Sequence, residues 1–399
     1  MWTILLMSLI QMPQFAILPG TDMIATEVFP EHTLQTVQTA MSLPGLVAVI
    51  CGVTAAMLVR YGFSSKKFMT VLGLSSIAMT GVVAIFLNTQ FWQLCLMNIL
   101  IGLGMGIYVP NAQSIMFDNF DERKRQFITG LTFSGINIGG LIMSLLCGIL
   151  TTIVWYGGHL QMLVEIPVAI VAFLVIPQDK KMKYTAGNDT ENDSADAGTT
   201  RSKLPRKVYY YAFLIIVFMI VYNVATMNIS THLAQNGIGD SSTAGIATAL
   251  LMGGGVAVGF IFPKLSQVFH DYLFAATFFI IGIGFTLMTL FPASIAVTFV
   301  AMFICGATMS LLVPRCLFNV SNITDPTNSA TGTMLVCCIA PGGGHFFSPI
   351  IMTNLTLAIG GESTRFRFQF TAYVCLALTV ILFAYHIRQT RRGKAAAAA

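Results

Sequence analysis

The sequence predicts an all-α membrane protein with twelve transmembrane helices, arranged as two six-helix bundles related by a parallel pseudo-two-fold repeat. The 399 residues are 55% hydrophobic and only 9% charged, whereas soluble domains contain about 25% charged residues. Two long stretches, 68–117 and 272–314, contain no Asp, Glu, Lys or Arg. A helix needs about 20 apolar residues to cross a bilayer, so each of these stretches has room for two spans.

Apolar stretches along the whole chain give the twelve spans. They lie near residues 2–21, 38–59, 68–88, 93–116, 128–152, 158–177, 208–230, 243–262, 272–291, 294–316, 329–355 and 369–387. No basic leader precedes the first stretch, so it is interpreted as a span and not as a cleavable signal. The polar stretch 178–207 has no apolar period, which predicts a flexible linker. The predicted domains are a bundle at 1–177, the linker, a second bundle at 208–390 and a tail at 391–399.

A repeated motif relates the two halves. The segment 102–111 in the fourth span (GLGMGIYVPN) recurs as 306–315 in the tenth (GATMSLLVPR). The paired glycines at 139–140 have a counterpart in 342–344. Two similar bundles about an axis normal to the membrane can rock around a central site, as transporters of this kind do.

The basic residues predict the orientation. All Lys and Arg except Arg365 and Arg367 fall on one side of the twelve spans. By the positive-inside rule that side is cytoplasmic, which places both termini in the cytoplasm and the protein in the plasma (inner) membrane. Because these charges are dispersed over loops, with no basic face, nucleic acid is not an expected partner.

Motifs of enzymes and metal proteins are missing from the sequence. The eight cysteines all lie within predicted spans and lack the spacing of a metal site. Neither a phosphate-binding loop nor a zinc-binding His-Glu-x-x-His motif occurs. We therefore expect no cofactor, no metal and no enzymatic activity, and we consider an intramembrane enzyme or a sensor the weaker alternative.

The six-plus-six topology and the loop after the second span resemble the major facilitator superfamily over essentially the whole chain. In that loop Arg60, Gly62, Lys66 and Lys67 match the family's gating motif, whereas Val59 replaces its Asp. The fifth-span stretch 135–140 keeps the glycines of the family's antiporter signature and lacks its proline. These features are most similar to bacterial drug-exporter-like or organic-solute members.

The resemblance implies a secondary active transporter of a small organic solute that works by alternating access. It further implies proton coupling, a preference for efflux, a monomer in a lipid bilayer, and a central cavity lined by spans one, four, seven and ten. The alternative is a transporter that takes up or exchanges an organic anion. In that case Arg315, at the end of the tenth span, would bind the anion; otherwise it anchors the span at the cytoplasmic surface.

Three ionisable residues are candidates for proton coupling, because charged groups within spans are costly and tend to be functional. Asp22 follows Pro19 in the first span, or lies at the outer water boundary with other carboxylates. Glu165 lies within the sixth span, where it carries protons or has a structural role. His345 follows three glycines in the eleventh span and titrates near neutral pH or is structural.

Polar side chains on the spans that would line the cavity are candidates for substrate binding. Gln11 and Gln14 share one face of a helix by their spacing. Such side chains orient a ligand or bond neighbouring helices. The full set comprises Gln11, Gln14, Asn111, Gln113, Asn137, Tyr222, Asn223, Asn228 and, for an anion, Arg315.

Overall fold

The computed structural model of the protein describes residues 2–60, 63–119, 122–176, 204–324, 332, 334–361 and 363–398, and the regular structure in these ranges is helical. Eleven helical segments of this part are long enough and apolar enough to cross a membrane. The predicted all-helical membrane architecture is confirmed. The long helices are α4 (Leu34–Arg60), α5 (Lys66–Phe86), α6 (Phe91–Asn119), α7 (Glu122–Ile153), α10 (Arg206–Gln235), α11 (Ser241–Phe269), α12 (Tyr272–Leu290), α13 (Ile295–Ile323), α14 (Ala340–Ala358) and α15 (Thr364–Ala398).

The sixth predicted span is built from shorter pieces. It consists of α8 (Gly157–Leu160), a 3₁₀ segment (Gln161–Val164) and α9 (Glu165–Val175). A π-helical segment (Leu335–Ile339) precedes α14 and extends the eleventh span. The predicted linker at 178–207 lies mostly outside the described residues, so its predicted flexibility stays a prediction.

The first predicted span differs most from expectation. In place of one helix over 2–21, the chain forms α1 (Trp2–Ser8), α2 (Pro13–Ala16), a 3₁₀ turn (Leu18–Gly20), α3 (Thr21–Met23) and a π-helical turn (Ile24–Val28). Proline explains the first break, because the residue before a proline is disfavoured in the helical conformation. Met12, just before Pro13, has φ −124° and ψ 54°. Twelve continuous spanning helices are therefore not confirmed.

Side chains of other helices satisfy carbonyl groups that these breaks release. The Tyr108 hydroxyl of α6 donates to the Met7 carbonyl at 2.8 Å. The Gln161 amide donates to the Ala16 carbonyl at 3.1 Å. Buried backbone groups need such partners, so the broken segment is held by the first bundle as well as by its own turns.

Each half has its own set of packed helices. In the first half α6 packs between α4 and α5, and α5 also packs on α9. In the second half α13 packs between α11 and α12, and α12 also packs on α15. In addition α1 packs on α7, and α10 packs on α14.

The most extensive contacts between the halves in the described part of the chain are those of α4 with α14 and of α7 with α11. Both contacts rely on glycine. A Cβ atom on Gly45 would lie 2.7 Å from the carbonyl oxygen of Gly342, and one on Gly148 would lie 2.9 Å from the Cα of Gly245. Small residues of this kind allow the backbones of membrane helices to approach closely.

The halves pack more closely at one end of the bundle than at the other. We call the end where α4 begins and α10 ends the far end, and the end where α9 ends and α10 begins the linker end. Helix α11 is mostly buried over 241–255, at the far end, and mostly exposed over 257–269, at the linker end. At the far end, the Gln35 amide also donates to Asn354 Oδ1 at 2.9 Å, joining α4 to α14. The contacts between the halves are therefore concentrated toward the far end.

Candidate functional site

A buried histidine and asparagine lie where helices of the two halves meet. His345 of α14 is 2% exposed, and its Nδ1 lies 2.8 Å from Oδ1 of Asn223 on α10. The same imidazole faces the first half, since a Cβ on Gly45 of α4 would lie 3.1 Å from its Cδ2. Its ring also meets Phe15 of α2 edge to face, with centroids 5.5 Å apart. His345 thus contacts segments of both halves at once.

The hydrogen bonds around Asn223 assign the tautomer of His345. The Asn223 amide nitrogen donates to the Met219 carbonyl at 2.7 Å, which directs Oδ1 toward the imidazole. Because an amide oxygen can only accept, Nδ1 of His345 carries the hydrogen. Nε2 is then a bare acceptor, and it is buried without a hydrogen-bond partner among the described residues. A proton, or a donor group of a ligand, would satisfy it.

Aromatic rings line the same region. Tyr222 is 2% exposed, and its ring lies 6.3 Å from Phe15 and 5.5 Å from Phe218 between centroids. Both contacts carry aromatic packing energy beyond the buried area. The structure thus brings together three of the predicted site residues, His345, Tyr222 and Asn223, and adds Phe15, which the sequence did not single out.

A second polar cluster lies nearer the far end and also crosses between the halves. Oδ1 of Asn228 accepts from Nε2 of Gln38 on α4 at 3.1 Å and from Nη1 of Arg367 on α15 at 2.8 Å. The Gln38 amide also donates to the Met227 carbonyl at 3.0 Å. Asn228 was predicted from sequence, whereas Gln38 and Arg367 were not.

Both omissions have a physical reason. Gln38 was placed at the margin of the second predicted span, where a polar residue needs no explanation. Arg367 was placed in a connection outside the last span at 369–387, but α15 begins at Thr364 and carries the arginine into the bundle. A guanidinium next to a span boundary was the only signal that could have indicated it.

Asp22 lies in α3, which packs on α10. Its backbone N–H donates to the Ser230 hydroxyl of α10 at 3.3 Å. Its carboxyl group is half-buried and lies near the Thr231 side chain. Asp22 therefore lies at a contact between the broken first segment and the second half.

Glu165 lies elsewhere, inside the first half. It opens α9, which packs on α5 and α1. The residue is fully buried, and neither carboxylate oxygen has a hydrogen-bond partner among the described residues. An ionised carboxylate in such surroundings would be costly.

Other predicted polar residues are dispersed around the first segment and α7. Gln11 is 8% exposed, and Gln14 has a buried Oε1 without a partner in the described part of the chain. Asn111 donates to the Ile107 carbonyl of its own helix at 2.6 Å. Asn137 lies at the α7–α11 contact, where a Cβ on Gly255 would be 2.8 Å from its Oδ1. The side chain of Gln113 lies outside the described residues.

Buried polar residues that the sequence analysis did not name complete the first half. His159 Nε2 lies 3.4 Å from Oδ1 of Asn98, and Gln161 bonds the Ala16 carbonyl as described above. His159 follows two glycines in a short helix, so its spacing gave no periodic signal. These groups fix the broken first segment to α6 and α8.

Arg315 has a partner within its own half. Its Nη2 lies 3.0 Å from Oδ1 of Asp271, and its Nη1 donates to the Ser266 hydroxyl at 3.0 Å. Asn319 donates to the same carboxylate oxygen at 3.0 Å. An anionic solute would have to compete with Asp271 for this guanidinium.

The residues of the predicted gating loop are only partly described. Gly62 and the side chain of Arg60 lie outside the described residues. Lys66 opens α5, and Ser65 caps that helix by accepting from the Phe68 N–H at 3.1 Å. The Lys67 ammonium lies 5.2 Å from the ring centroid of Phe173 on α9, a contact within the first half.

Comparison with solved structures supports the fold. A peptide transporter of the POT family, in complex with a thioalcohol-conjugated peptide, is 13% identical, with a TM-score of 0.72 and 96% of each chain covered. A bacterial homologue of the human lysosomal transporter Spinster, inward-facing and unoccupied, is 16% identical, with a TM-score of 0.69 and coverage of 98% of this chain and 96% of that chain. The nucleoside transporter NupG is 11% identical, with a TM-score of 0.69 and coverage of 97% and 98%.

At these identities the likeness concerns the fold alone. No curated protein sequence matches this chain significantly. The sequence profile of the Major Facilitator Superfamily, however, matches residues 3–344, which is most of the chain. The chain therefore belongs to the Major Facilitator Superfamily.

Proposed function

We propose that this protein is a secondary active transporter of a small organic solute, that it works by alternating access, and that protons drive it in the direction of efflux. The observation that carries the proposal is the His345–Asn223 pair. It is buried at the contact between the halves, and its Nε2 is left with no partner in the described part of the chain. A group in that place changes its surroundings whenever the halves move apart.

A pseudo-two-fold repeat is part of this proposal, and the packing supports it. Gly102 and Gly306 occupy equivalent positions of the repeated motif. A Cβ on Gly102 would meet the Pro44 carbonyl of α4, and a Cβ on Gly306 would meet the Leu251 carbonyl of α11. Helix α4 is the second predicted span and α11 is the eighth, so the two helices hold the same place in the two halves. Equivalent glycines thus contact equivalent helices, as a repeat requires.

The asymmetry between the two ends gives the direction in which the site faces. With the basic linker end in the cytoplasm, the closely packed far end is extracellular and the site faces inward. Rocking of the halves would open the far end by separating α4 from α14 and α7 from α11. The plasma membrane, cytoplasmic termini and a monomeric state complete the proposal.

Location distinguishes the three candidates for proton coupling. A coupling residue has to meet water on each side in turn, so it belongs at a contact that opens. His345 lies at the contact between the halves, and Asp22 lies where the first segment meets α10. Glu165 is enclosed by helices of the first half. We therefore assign coupling to His345 and Asp22 before Glu165.

Proton movement into or out of liposomes tests this assignment. Purified protein would be reconstituted around a pH-sensitive dye, and four pools would be added outside: organic acids, lipophilic cations, dipeptides and nucleosides. In an antiporter an entering solute drives a proton out and the lumen becomes alkaline, whereas in a symporter the lumen becomes acidic. Liposomes without protein correct for passive movement.

Three variants identify the proton-carrying residue. We expect His345→Gln or Asp22→Asn to abolish proton movement evoked by the solute, and Glu165→Gln to retain it. If proton movement were lost only in Glu165→Gln, the coupling residue would be Glu165, inside the first half. Solute movement without any proton movement would refute the coupling, and acidification of the lumen would refute efflux.

A further inference from the structure

Arg367 is a buried cation that has no acidic partner among the described residues. The residue is 5% exposed. Within the described ranges, the ion pairs join His32 with Glu31 and Arg315 with Asp271, and Arg367 belongs to neither. A buried charge is expensive unless it is both paired and hydrogen-bonded, so its presence here needs an explanation.

The guanidinium of Arg367 makes fewer side-chain hydrogen bonds with the described residues than it has donors. The group carries five N–H donors in a planar fork that matches a carboxylate. Its side-chain hydrogen bond is the one from Nη1 to Oδ1 of Asn228, at 2.8 Å. Nε is buried and has no partner in the described part of the chain. An amide oxygen is a neutral substitute for the anionic oxygen that this fork prefers.

The side chains that form the hydrogen-bond network of Arg367 in the described part of the chain are uncharged amides. Asn228 Oδ1 also accepts from Gln38 of α4, so the guanidinium lies beside a contact between the two halves. One turn further along α10, His232 Nδ1 lies 3.5 Å from the Thr364 hydroxyl of α15. Among the described residues, the guanidinium of Arg367 thus meets a neutral amide oxygen and no carboxylate within ion-pair distance.

We infer that Arg367 binds a carboxylate of the transported solute at the far end, with Asn228 and Gln38 as neutral hydrogen-bonding partners. The inference rests on the proposed transport function and specifies its substrate class as an organic anion. It also differs from the anion site predicted at Arg315, because that guanidinium already pairs with Asp271 at 3.0 Å. Opening of the far end would separate Gln38 from Asn228 and admit the anion.

The first test measures stability without any ligand. Purified full-length protein in detergent would be heated while tryptophan fluorescence reports unfolding, since the chain has three tryptophans. A buried charge without a charged partner carries a desolvation cost that a neutral amide largely avoids. We expect Arg367→Gln to have an unchanged or higher unfolding midpoint. A lower midpoint would show that the arginine is structural and would overturn the inference.

The second test compares carboxylates with their uncharged amide analogues as ligands. Acetate, benzoate and succinate would be compared with acetamide, benzamide and succinamide at constant ionic strength, and inorganic phosphate would form a separate arm. We expect at least one carboxylate to raise the midpoint while its amide does not. Arg367→Gln should lose this rise, and Arg367→Lys should weaken binding by about tenfold, because lysine lacks the planar fork.

Arg365 provides the matched control on the same helix. It is exposed, and its Nε donates to the Thr289 carbonyl at 3.0 Å. Arg365→Gln should keep the carboxylate response. A response that persists in Arg367→Gln, or one given by phosphate alone or by no carboxylate, would overturn the inference. Binding is measured here without transport, so failure of the anion site and failure of the proposed function are distinguishable.

Discussion

His345 and Asn223 form a buried hydrogen bond, Nδ1 to Oδ1 at 2.8 Å, that joins α14 to α10. The bond holds the imidazole in place while its other face lies against Gly45 of α4, in the opposite half. Asn223 thereby fixes both the orientation and the tautomer of His345. The pair belongs to the second half, so it would keep its geometry while the first half moves.

We predict that Asn223→Ala lowers the free energy of unfolding by about 1 to 3 kcal/mol, because Nδ1–H of His345 loses its buried partner. His345→Ala in the Asn223→Ala background should add less than it does alone, since the bond is already absent. Chemical denaturation of the four proteins of the cycle measures this coupling. Asn236→Ala, at the partly exposed C-cap of α10, is the control and should add to His345→Ala without coupling, because the Asn236 side chain bonds His232 of its own helix. Strictly additive effects in the Asn223 cycle would contradict the pairing.

Two adjacent glycines of α14 should respond in opposite directions to alanine. A Cβ on Gly342 would lie 2.6 Å from Val49 Cγ2 and 2.8 Å from the Gly45 carbonyl, whereas one on Gly343 meets no atom within 4 Å. Gly342→Ala should cost about 1 to 3 kcal/mol through overpacking. Gly343→Ala should be neutral or gain up to about 1 kcal/mol, because alanine favours a helix.

Thermal unfolding of both glycine variants in the same detergent measures this difference. If the α4–α14 contact is the closed far end, Gly342→Ala should also increase labelling of a cysteine introduced at Asn354, beside that contact. Equal behaviour of the two variants would mean that the helices do not approach closely at this place.

Removing the charge of Arg315 and removing the charge of Asp271 should destabilise the protein to different extents. The Arg315 side chain is 9% exposed and that of Asp271 is 37% exposed. Asp271→Asn leaves a mostly buried cation without a full charge partner, whereas Arg315→Gln leaves a carboxylate that water can reach. We expect Asp271→Asn to be more destabilising, by about 1 to 3 kcal/mol.

The double variant Arg315→Gln with Asp271→Asn tests the same pair. It should recover part of that loss, because no charge is then left uncompensated. Unfolding midpoints of the two single variants and the double variant decide the order. A larger loss for Arg315→Gln would point to a role of the arginine beyond this pair.

Asp240 should make stability depend on pH through the cap of α11. Its carboxylate accepts from the Thr243 N–H at 3.0 Å, and this hydrogen bond lowers the pKa of Asp240 below its usual value. A group whose pKa is lower in the folded state stabilises the protein above the pKa of the unfolded state. That contribution is lost as the pH falls through the folded-state pKa.

Replacement of Asp240 separates the cap from the charge. Asp240→Ala should cost about 0.5 to 2 kcal/mol near neutral pH, the usual value of a helix cap. Asp240→Asn keeps a hydrogen-bond acceptor without a titrating charge. It should therefore retain most of the stability near neutral pH, and its stability should fall less at acidic pH than that of the unchanged protein. Unfolding midpoints between pH 3 and 7 measure both effects, and parallel profiles for Asp240→Asn and the unchanged protein would contradict the cap.

From the second predicted span onward, hydropathy along the chain indicated where helices long and apolar enough to cross a membrane would form. A span is specified by the sum of many local hydropathies and by the need of every backbone group to bond internally, and both can be read along the chain. The repeated motif at 102–111 and 306–315 likewise predicted which helices would be equivalent. The first span was the exception, because the helix breaks near Met12 and Pro13 depend on partners such as Tyr108 and Gln161 from other helices.

The contacts between polar groups of different helices could be seen only once the helices were packed together. His345, Tyr222, Asn223 and Asn228 were all named from sequence, but their contacts depend on the rotation and register of each helix, which packing at glycines such as Gly45 sets. Gln38 and Arg367 were missed because they lay at or outside the predicted span boundaries, and the acidic partner of Arg315, Asp271, comes from a distant part of the chain. Hydropathy places a residue at a depth in the membrane, whereas its neighbours at that depth come from other helices, far away in the chain.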